Sequence, residues 1–253
     1  MAFQLKHEGE FTYLDEGKGQ TLLLLHGLFG ALSNWESVVG YFSKKYRVII
    51  PIMPIYEMPI KTAGVEGLVT FIENFVELKK LSNLHIIGNS LGGHVGLCYT
   101  LKNEAKVKTL SLTGSSGLFE NSMGGSYPKR GNYDYIKERI AYTFYDPKSA
   151  SKELVDEVFD ITNDIPKAMR IIAIAKSAQR NNLAKDLHQI KVPTLLIWGL
   201  NDTITPATVG HEFNKLIKDS DLRFIDKCGH AAMMEQPDKF NHIYEGFIQK
   251  YTS

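Results

Sequence analysis

A chain of 253 residues, 43% of them hydrophobic, is long enough to bury a substantial core as one large α/β domain with room for an inserted subdomain. Its 29 Lys and Arg against 28 Asp and Glu leave a formal net charge of +1, which excludes a global field that recruits nucleic acid or an anionic membrane and makes a small molecule the expected partner. Two cysteines, Cys98 and Cys228, are too few for a disulfide framework and lack metal-ligand spacing, so both read as buried, reduced thiols and no metal is expected. Met1 to Glu10 has no apolar h-region, and the longest apolar runs are far too short to span a bilayer. A cytoplasmic protein without membrane association is the expectation; oligomeric state stays open.

In chain order, Phe11 to Leu14 alternates as a short strand and ends in the turn-rich Asp15–Gly19. Thr21–Leu25 is apolar throughout, the pattern of a central strand covered on both faces. It runs into His26-Gly27-Leu28-Phe29-Gly30, and Asn34 to Phe42 then has helical spacing with Trp35, Val38, Val39 and Phe42 on one side. Val48–Ile50 is the next strand. Pro51, Pro54 and Pro59 forbid a helix after it and favour an extended loop. Val65 to Leu81 reads as a helix with Leu68, Phe71, Ile72, Phe75 and Leu78 as its apolar face.

Leu84 to Asn89 is a short apolar strand, and Gly88-Asn89-Ser90-Leu91-Gly92 turns it into a helix carrying Val95 and Leu97 on its apolar side. A Gly-x-Ser-x-Gly turn between strand and helix is the nucleophile elbow: glycines let the two backbones close around a strained serine, and the helix N-terminus offers an amide to a developing oxyanion. A helix N-cap serine is the competing reading of the pentapeptide alone.

Val107–Thr113 is a strand and Gly114–Gly117 a turn, after which the strand and helix rhythm breaks. From Leu118 to about His188 the segments Tyr135–Phe144, Ser151–Ile161 and Ile165–Ala178 are amphipathic helices with no convincing strand, which reads as an inserted helical cap. Thr194–Trp198 and Leu222–Ile225 resume the rhythm as strands, each followed by a helix, the last near Phe240–Tyr251. Alternating strands and helices imply a mostly parallel, doubly covered sheet. The expected organisation is a core of residues 1–117 and 189–253 with a cap of residues 118–188.

A serine nucleophile needs a base, and the base an orienting acid. In parallel sheets sites form at the carboxyl ends of strands, where Asp202 follows Thr194–Trp198 and His230 follows Leu222–Ile225. Ser90, Asp202 and His230 are therefore the expected nucleophile, acid and base. His26 reads as a structural histidine holding the glycine loop, and His85 and His94 as packing or hydrogen-bonding residues. His7, His188, His211 and His242 read as surface positions. Asp226 is the rival for the acid, but choosing it leaves Asp202 unexplained. The oxyanion donors are expected to be the Leu91 amide and, from the loop after the Thr21–Leu25 strand, Leu28 with Phe29 second.

The pieces His26-Gly27, Gly88-Asn89-Ser90-Leu91-Gly92-Gly93, Trp198-Gly199 with Asn201-Asp202, and Gly229-His230 with Glu235 and Pro237 resemble the α/β-hydrolase superfamily over essentially the whole chain. Within it, Gly-Asn-Ser-Leu-Gly-Gly and Lys-Cys-Gly-His are similar to the meta-cleavage-product hydrolases, which cut carbon–carbon bonds. Three departures stand against that subfamily. Ala231 replaces the tryptophan usual after the histidine, Val158 falls where the resemblance implies a cap arginine, and Ile52–Tyr56 lacks the Asp-x-x-Gly-x-Gly pattern.

The resulting expectation is a cofactor-free serine hydrolase of α/β-hydrolase fold that cleaves an ester or related acyl bond of a small to medium, largely apolar substrate. Phe29, Met53, Tyr56, His94 and Leu91 are the candidate pocket residues, with Tyr127 or Phe144 from the cap. The alternatives are carbon–carbon cleavage, for which Arg130, Arg139, Arg170 or Arg180 must supply the missing charge, and a ligand-binding protein without turnover on the same fold.

Overall fold

The computed structural model describes residues 4–30, 32–120 and 131–252. Eight strands form one sheet: β1 (Lys6–Glu8), β2 (Phe11–Glu16), β3 (Thr21–Leu25), β4 (Arg47–Pro51), β5 (Leu84–Asn89), β6 (Val107–Thr113), β7 (Thr194–Gly199) and β8 (Ser220–Ile225). Their spatial order is β1-β2-β4-β3-β5-β6-β7-β8. The β1–β2 and β2–β4 pairs are antiparallel, and every pair from β4 to β8 is parallel. β1 was not expected; its three residues are exposed and carry no apolar pattern to read.

Burial on both faces explains the unbroken apolar strands. Leu23 and Leu25 of β3 face one core cluster while Leu22 and Leu24 face the other, and Leu196 and Trp198 against Leu195 and Ile197 divide β7 in the same way. α2 (Val65–Leu78), α3 (Leu91–Lys102) and α7 (Ala207–Leu216) cover the first face; α1 (Glu36–Phe42) and α9 (Pro237–Ile248) cover the second.

From β3 the chain goes to β4 on one side, then crosses over through α2 to β5 on the other. The loops after β3 and β5 therefore diverge at their carboxyl ends and leave a crevice between them. His26–Gly30 and Ser90 lie at its lips.

Helix α2 stops three residues short of the expected Leu81. Leu81 N donates to Val76 O at 2.9 Å and Lys80 N to Glu77 O at 3.0 Å, with Lys80 at φ 50°, the paired bonds that close a helix through a left-handed residue. That early stop leaves Leu78 41% exposed, while Val69 and Val76 join the buried face instead. Residues 51–59 form no helix, yet they are not extended either: Glu57 N and Met58 N both donate to Pro54 O. Helix α3 is buried from Leu91 to Thr100 on all sides, so Val95 and Leu97 mark no single apolar stripe.

Between β6 and β7 the described residues form α4 (Tyr133–Ala141), α5 (Lys152–Asn163) and α6 (Ile165–Arg180) and no strand. This segment is tied to the rest by Ser177, whose Oγ accepts from Val65 N at 3.1 Å, and by Arg170, whose Nε donates to Met58 O at 2.8 Å. A short helix α8 (Ala232–Glu235), not expected from the sequence, follows His230. Among the described residues no helix is long and apolar enough to cross a membrane.

Candidate active site

Ser90 sits between β5 and α3 at φ 53° and ψ −120°, a conformation that costs an L-residue free energy and persists only where its surroundings impose it. They do so tightly. A Cβ on Gly88 would lie 2.5 Å from Gly92 O, and one on Gly92 would lie 2.1 Å from Leu25 O, so strand and helix can approach only because both are glycine. Ser90 N donates to Thr113 O, and Ser90 O accepts from His94 N and Ser116 N, each at 3.2 Å. Leu91 opens α3, so its amide is one of the N-terminal donors that the helix itself leaves unpaired.

The loop after β3 is pinned by His26. Its Nε2 accepts from Met53 N at 2.9 Å, which leaves Nδ1 to donate to Gly27 O at 2.8 Å and fixes the neutral tautomer. Full burial pushes its pKa down to about 4, against the smaller opposing effect of the Gly27 bond. The Tyr56 hydroxyl donates to Leu28 O, and Asn34 Nδ2 to Phe29 O at 3.2 Å. A Cβ on Gly27 would stand 3.5 Å from the Ser90 Cβ, which places this loop directly beside the serine.

The buried His26 has a consequence for stability. Titrating at about 4 when folded and near 6.5 when unfolded, it makes the unfolded chain the better proton binder between those values. Stability is then greatest above pH 6.5 and falls as the pH drops toward 4, by about 3 kcal/mol from this group alone. Urea midpoints for the wild type and His26→Gln across pH 4–7 check this; identical pH slopes in the two proteins would contradict it.

Asp202, 5% exposed, lies three residues past β7. Its Oδ1 accepts from Ile204 N at 2.8 Å and Thr205 N at 2.9 Å, while Oδ2 accepts from Thr205 Oγ1 at 2.8 Å and His230 Nδ1 at 2.9 Å. Burial on its own pushes the His230 pKa down, but the charge of Asp202, its hydrogen bond and the charge of Glu120 together outweigh burial and raise it. Asp226 is exposed and its Oδ1 accepts from Lys227 N, so it takes no part in orienting His230.

The segments bearing Ser90 and His230 meet at Asn89, whose Nδ2 donates to Thr113 O at 3.0 Å and to His230 O at 3.4 Å. Gly114, at φ 50°, leaves space for the hydrogen-bonded Asp202 and His230: a Cβ there would come within 2.9 Å of His230 Nδ1 and 3.1 Å of Asp202 Oδ2. From the other side, His230 N donates to Thr143 O at 2.9 Å. Glu235 accepts from Gly229 N at 2.5 Å and from Tyr145 N at 2.7 Å, which ties the histidine loop to the helical segment.

Among the expected pocket residues, Phe29 and Tyr56 are half-buried near the serine loop. Met53 is 2% exposed and acts through its amide on His26. His94 is fully buried on α3; its Nε2 pairs with Asn181 Oδ1 at 3.2 Å, which makes it a packing residue linking α3 to the end of α6 and not a wall of an open pocket. Leu91 is 3% exposed, so its side chain packs inward while its amide stays at the helix start. Phe144 is buried in the second core cluster, and Tyr127 lies outside the described residues. His85 bonds Thr109 Oγ1 and Gln20 Oε1, each at 2.9 Å, within the core. His7, His188, His211 and His242 are exposed, and Cys98 and Cys228 are buried and free, their thiols pushed up to about 12 by burial.

Sequence reasoning overlooked three residues. Thr205 bonds Asp202 twice, and the Asp-x-x-Thr spacing before Pro206 was its signal. Glu235 was quoted only as part of a resemblance. Glu120 carried no local signal, because only in the folded chain does its charge act on His230. Among the described residues no group of three or more His, Cys, Asp and Glu side chains is spaced to hold a metal ion.

A family model described as the alpha/beta hydrolase fold matches residues 20–141 and 148–237. The crystal structure of an alpha/beta hydrolase enzyme from the metagenome of sediments of the Mar Chica lagoon, Morocco, is 41% identical over 98% of both chains, with a TM-score of 0.81. A 2-hydroxy-6-oxo-6-(2'-aminophenyl)hexa-2,4-dienoic acid hydrolase of Metapseudomonas resinovorans is 27% identical over 95% of this chain and 88% of its own. A monoacylglycerol lipase of Bos taurus is also 27% identical, over 98% of this chain and 82% of its own.

Proposed function

The chain belongs to the alpha/beta hydrolase fold family and is a hydrolase of that fold, and on that premise we propose that it is a serine hydrolase cleaving an ester or related acyl bond of a small to medium, largely apolar substrate. The observation that carries the reading is the His230 Nδ1 bond to buried Asp202 at 2.9 Å, on a segment hydrogen-bonded to the strained elbow of Ser90.

Ser90 Oγ attacks the carbonyl carbon, and His230 Nε2 takes its proton. Asp202 holds the proton on Nδ1, so that Nε2 is the basic nitrogen, and stabilises the imidazolium that forms. The tetrahedral oxyanion rests on the amides of Leu91 and Leu28. His230 returns its proton to the leaving alcohol, and water repeats the sequence on the acyl-enzyme. The His26 bonds and the Tyr56 bond to Leu28 O orient the second amide before substrate arrives.

Carbon–carbon cleavage is the rival, favoured by the likeness to the dienoic acid hydrolase. A dienoate carries a carboxylate whose burial calls for a cation. Val158 is 4% exposed in an apolar cluster and offers none. The Arg139 guanidinium stacks over the Tyr135 and Tyr142 rings, and Arg170 is occupied by the Met58 and Pro166 carbonyls. Arg180 is exposed at the end of α6, and Arg130 lies outside the described residues. The expected result is a higher kcat/KM for a short-chain aryl ester than for a 2-hydroxy-6-oxo-dienoate under identical conditions. A dienoate advantage of about tenfold, or 1.4 kcal/mol of transition-state preference, would reverse the choice.

A further inference from the structure

His230 Nδ1 is one of four donors that converge on the Asp202 carboxylate. An ionised carboxylate has about four acceptor sites, and here the amides of Ile204 and Thr205 take those of Oδ1 while His230 Nδ1 and the Thr205 hydroxyl take those of Oδ2. Thr205 is fully buried, and its carbonyl anchors it to the sheet by accepting from the indole Nε1 of buried Trp198 at 2.8 Å. Its Oγ1 stands 2.8 Å from Asp202 Oδ2 and 3.4 Å from His230 Nδ1, so the three groups form a closed triangle. The hydroxyl proton goes to Oδ2, which leaves the Oγ1 lone pairs for the proton on Nδ1.

We propose that Thr205 is a positioning residue of this site: its hydroxyl fills the last acceptor site of Asp202, limits how strongly the carboxylate draws on the Nδ1 proton, and so keeps His230 available as a neutral base. The proposal rests on the acyl-transfer reading of Ser90 and His230. A carboxylate oxygen shared between two donors gives less of its charge to each, and the hydroxyl, at 2.8 Å, competes for Oδ2 on equal terms with Nδ1, at 2.9 Å. Removing the hydroxyl while keeping the branched shape leaves a buried acceptor site empty, and the attraction concentrates on the imidazole. The charges of Asp202 and Glu120 already raise the His230 pKa. The Cys228 thiol, pushed up to about 12 by burial, adds no charge near neutral pH, and Glu235 is bonded to the amides of Gly229, Tyr145 and Asp146. Thr205 therefore works against an over-basic His230, which would be protonated and idle at neutral pH.

The test is the pH profile of kcat/KM for 4-nitrophenyl hexanoate in the wild type, Thr205→Val and Thr205→Ser. In Thr205→Val the limb that falls on acidification should move up by about one pH unit, opposite to the direction expected when Asp202 loses its charge. Thr205→Ser keeps the hydroxyl and should keep the limb in place. A limb that stays or moves down in Thr205→Val, or a serine variant that behaves like the valine one, overturns the proposal. Thr205→Ala takes the place of Thr205→Val should the melting curve show the latter unfolded. Should the wild type not turn over the ester, the acyl-transfer reading fails on its own account. The pKa of His230, read from its ring carbon resonance and assigned with His230→Gln, then decides on Thr205: it should rise by the same amount in Thr205→Val, and an unmoved value overturns the role of the hydroxyl.

Discussion

Replacing Ser90 with alanine is expected to lower kcat for a short-chain aryl ester by about 10⁶-fold and to abolish covalent labelling by a fluorophosphonate probe. The size follows from the division of labour in the proposed site: without Oγ no acyl-enzyme forms, and the base and acid have no proton to move. What survives is the weak catalysis of the oxyanion amides and of binding. The substitution isolates the chemistry because it leaves the elbow intact. Alanine keeps the Cβ, and the bonds of Ser90 N to Thr113 O and of Ser116 N to Ser90 O are made by backbone atoms alone. The strain at φ 53° is already borne by serine, so the melting temperature should barely change. Turnover that falls less than about a hundredfold, or labelling that persists, would remove Ser90 from the role of nucleophile.

Asp202→Asn should lower the acylation rate by about 10⁴-fold. The two backbone amides of Ile204 and Thr205 donate to Oδ1 and hold an oxygen there, so the carboxamide NH₂ must occupy the place of Oδ2. That nitrogen is a donor. Facing it, His230 Nδ1 becomes the acceptor, the ring proton moves to Nε2, and the nitrogen that should take the serine proton is already protonated. The pH profile carries an independent sign. Asp202 helps raise the His230 pKa, and the base works only when neutral, so wild-type kcat/KM should fall as pH drops through that raised value. With the charge gone, burial dominates and the falling limb should move to lower pH. A loss under about tenfold, with the limb unmoved, would mean that Asp202 does not orient the base.

The strands and the Ser90 elbow were legible in the sequence because both are written in local patterns. An unbroken run such as Thr21–Leu25 can be apolar at every position only if both faces are covered, and a glycine on either side of a serine between strand and helix reports a backbone too crowded for a Cβ. Asp202 and His230 could be proposed as partners of Ser90 because each lies a few residues past the end of a strand, and parallel strands deliver their ends to one edge. The same logic missed β1, whose exposed residues carry no periodic signal and which forms because β2 offers it an edge.

What remained was decided by contacts between segments distant in the chain. Leu78 fits the apolar repeat of α2, yet the paired bonds around Lys80 end the helix at that residue and leave it facing solvent. His94 stands four residues after the serine, where spacing suggests a pocket wall; the packing of α3 buries it and pairs it with Asn181, the residue that follows α6, 87 residues away. Glu120 has no pattern at all, since a single carboxylate in a loop is indistinguishable from a solvated one until the fold half-buries it. The sequence by itself determined most of the elements and offered candidates for the reacting groups, because periodicity and strand-end position depend on neighbours a few residues away. Only the tertiary structure decided which side chains are withdrawn from the site, because burial depends on what lies nearby in space.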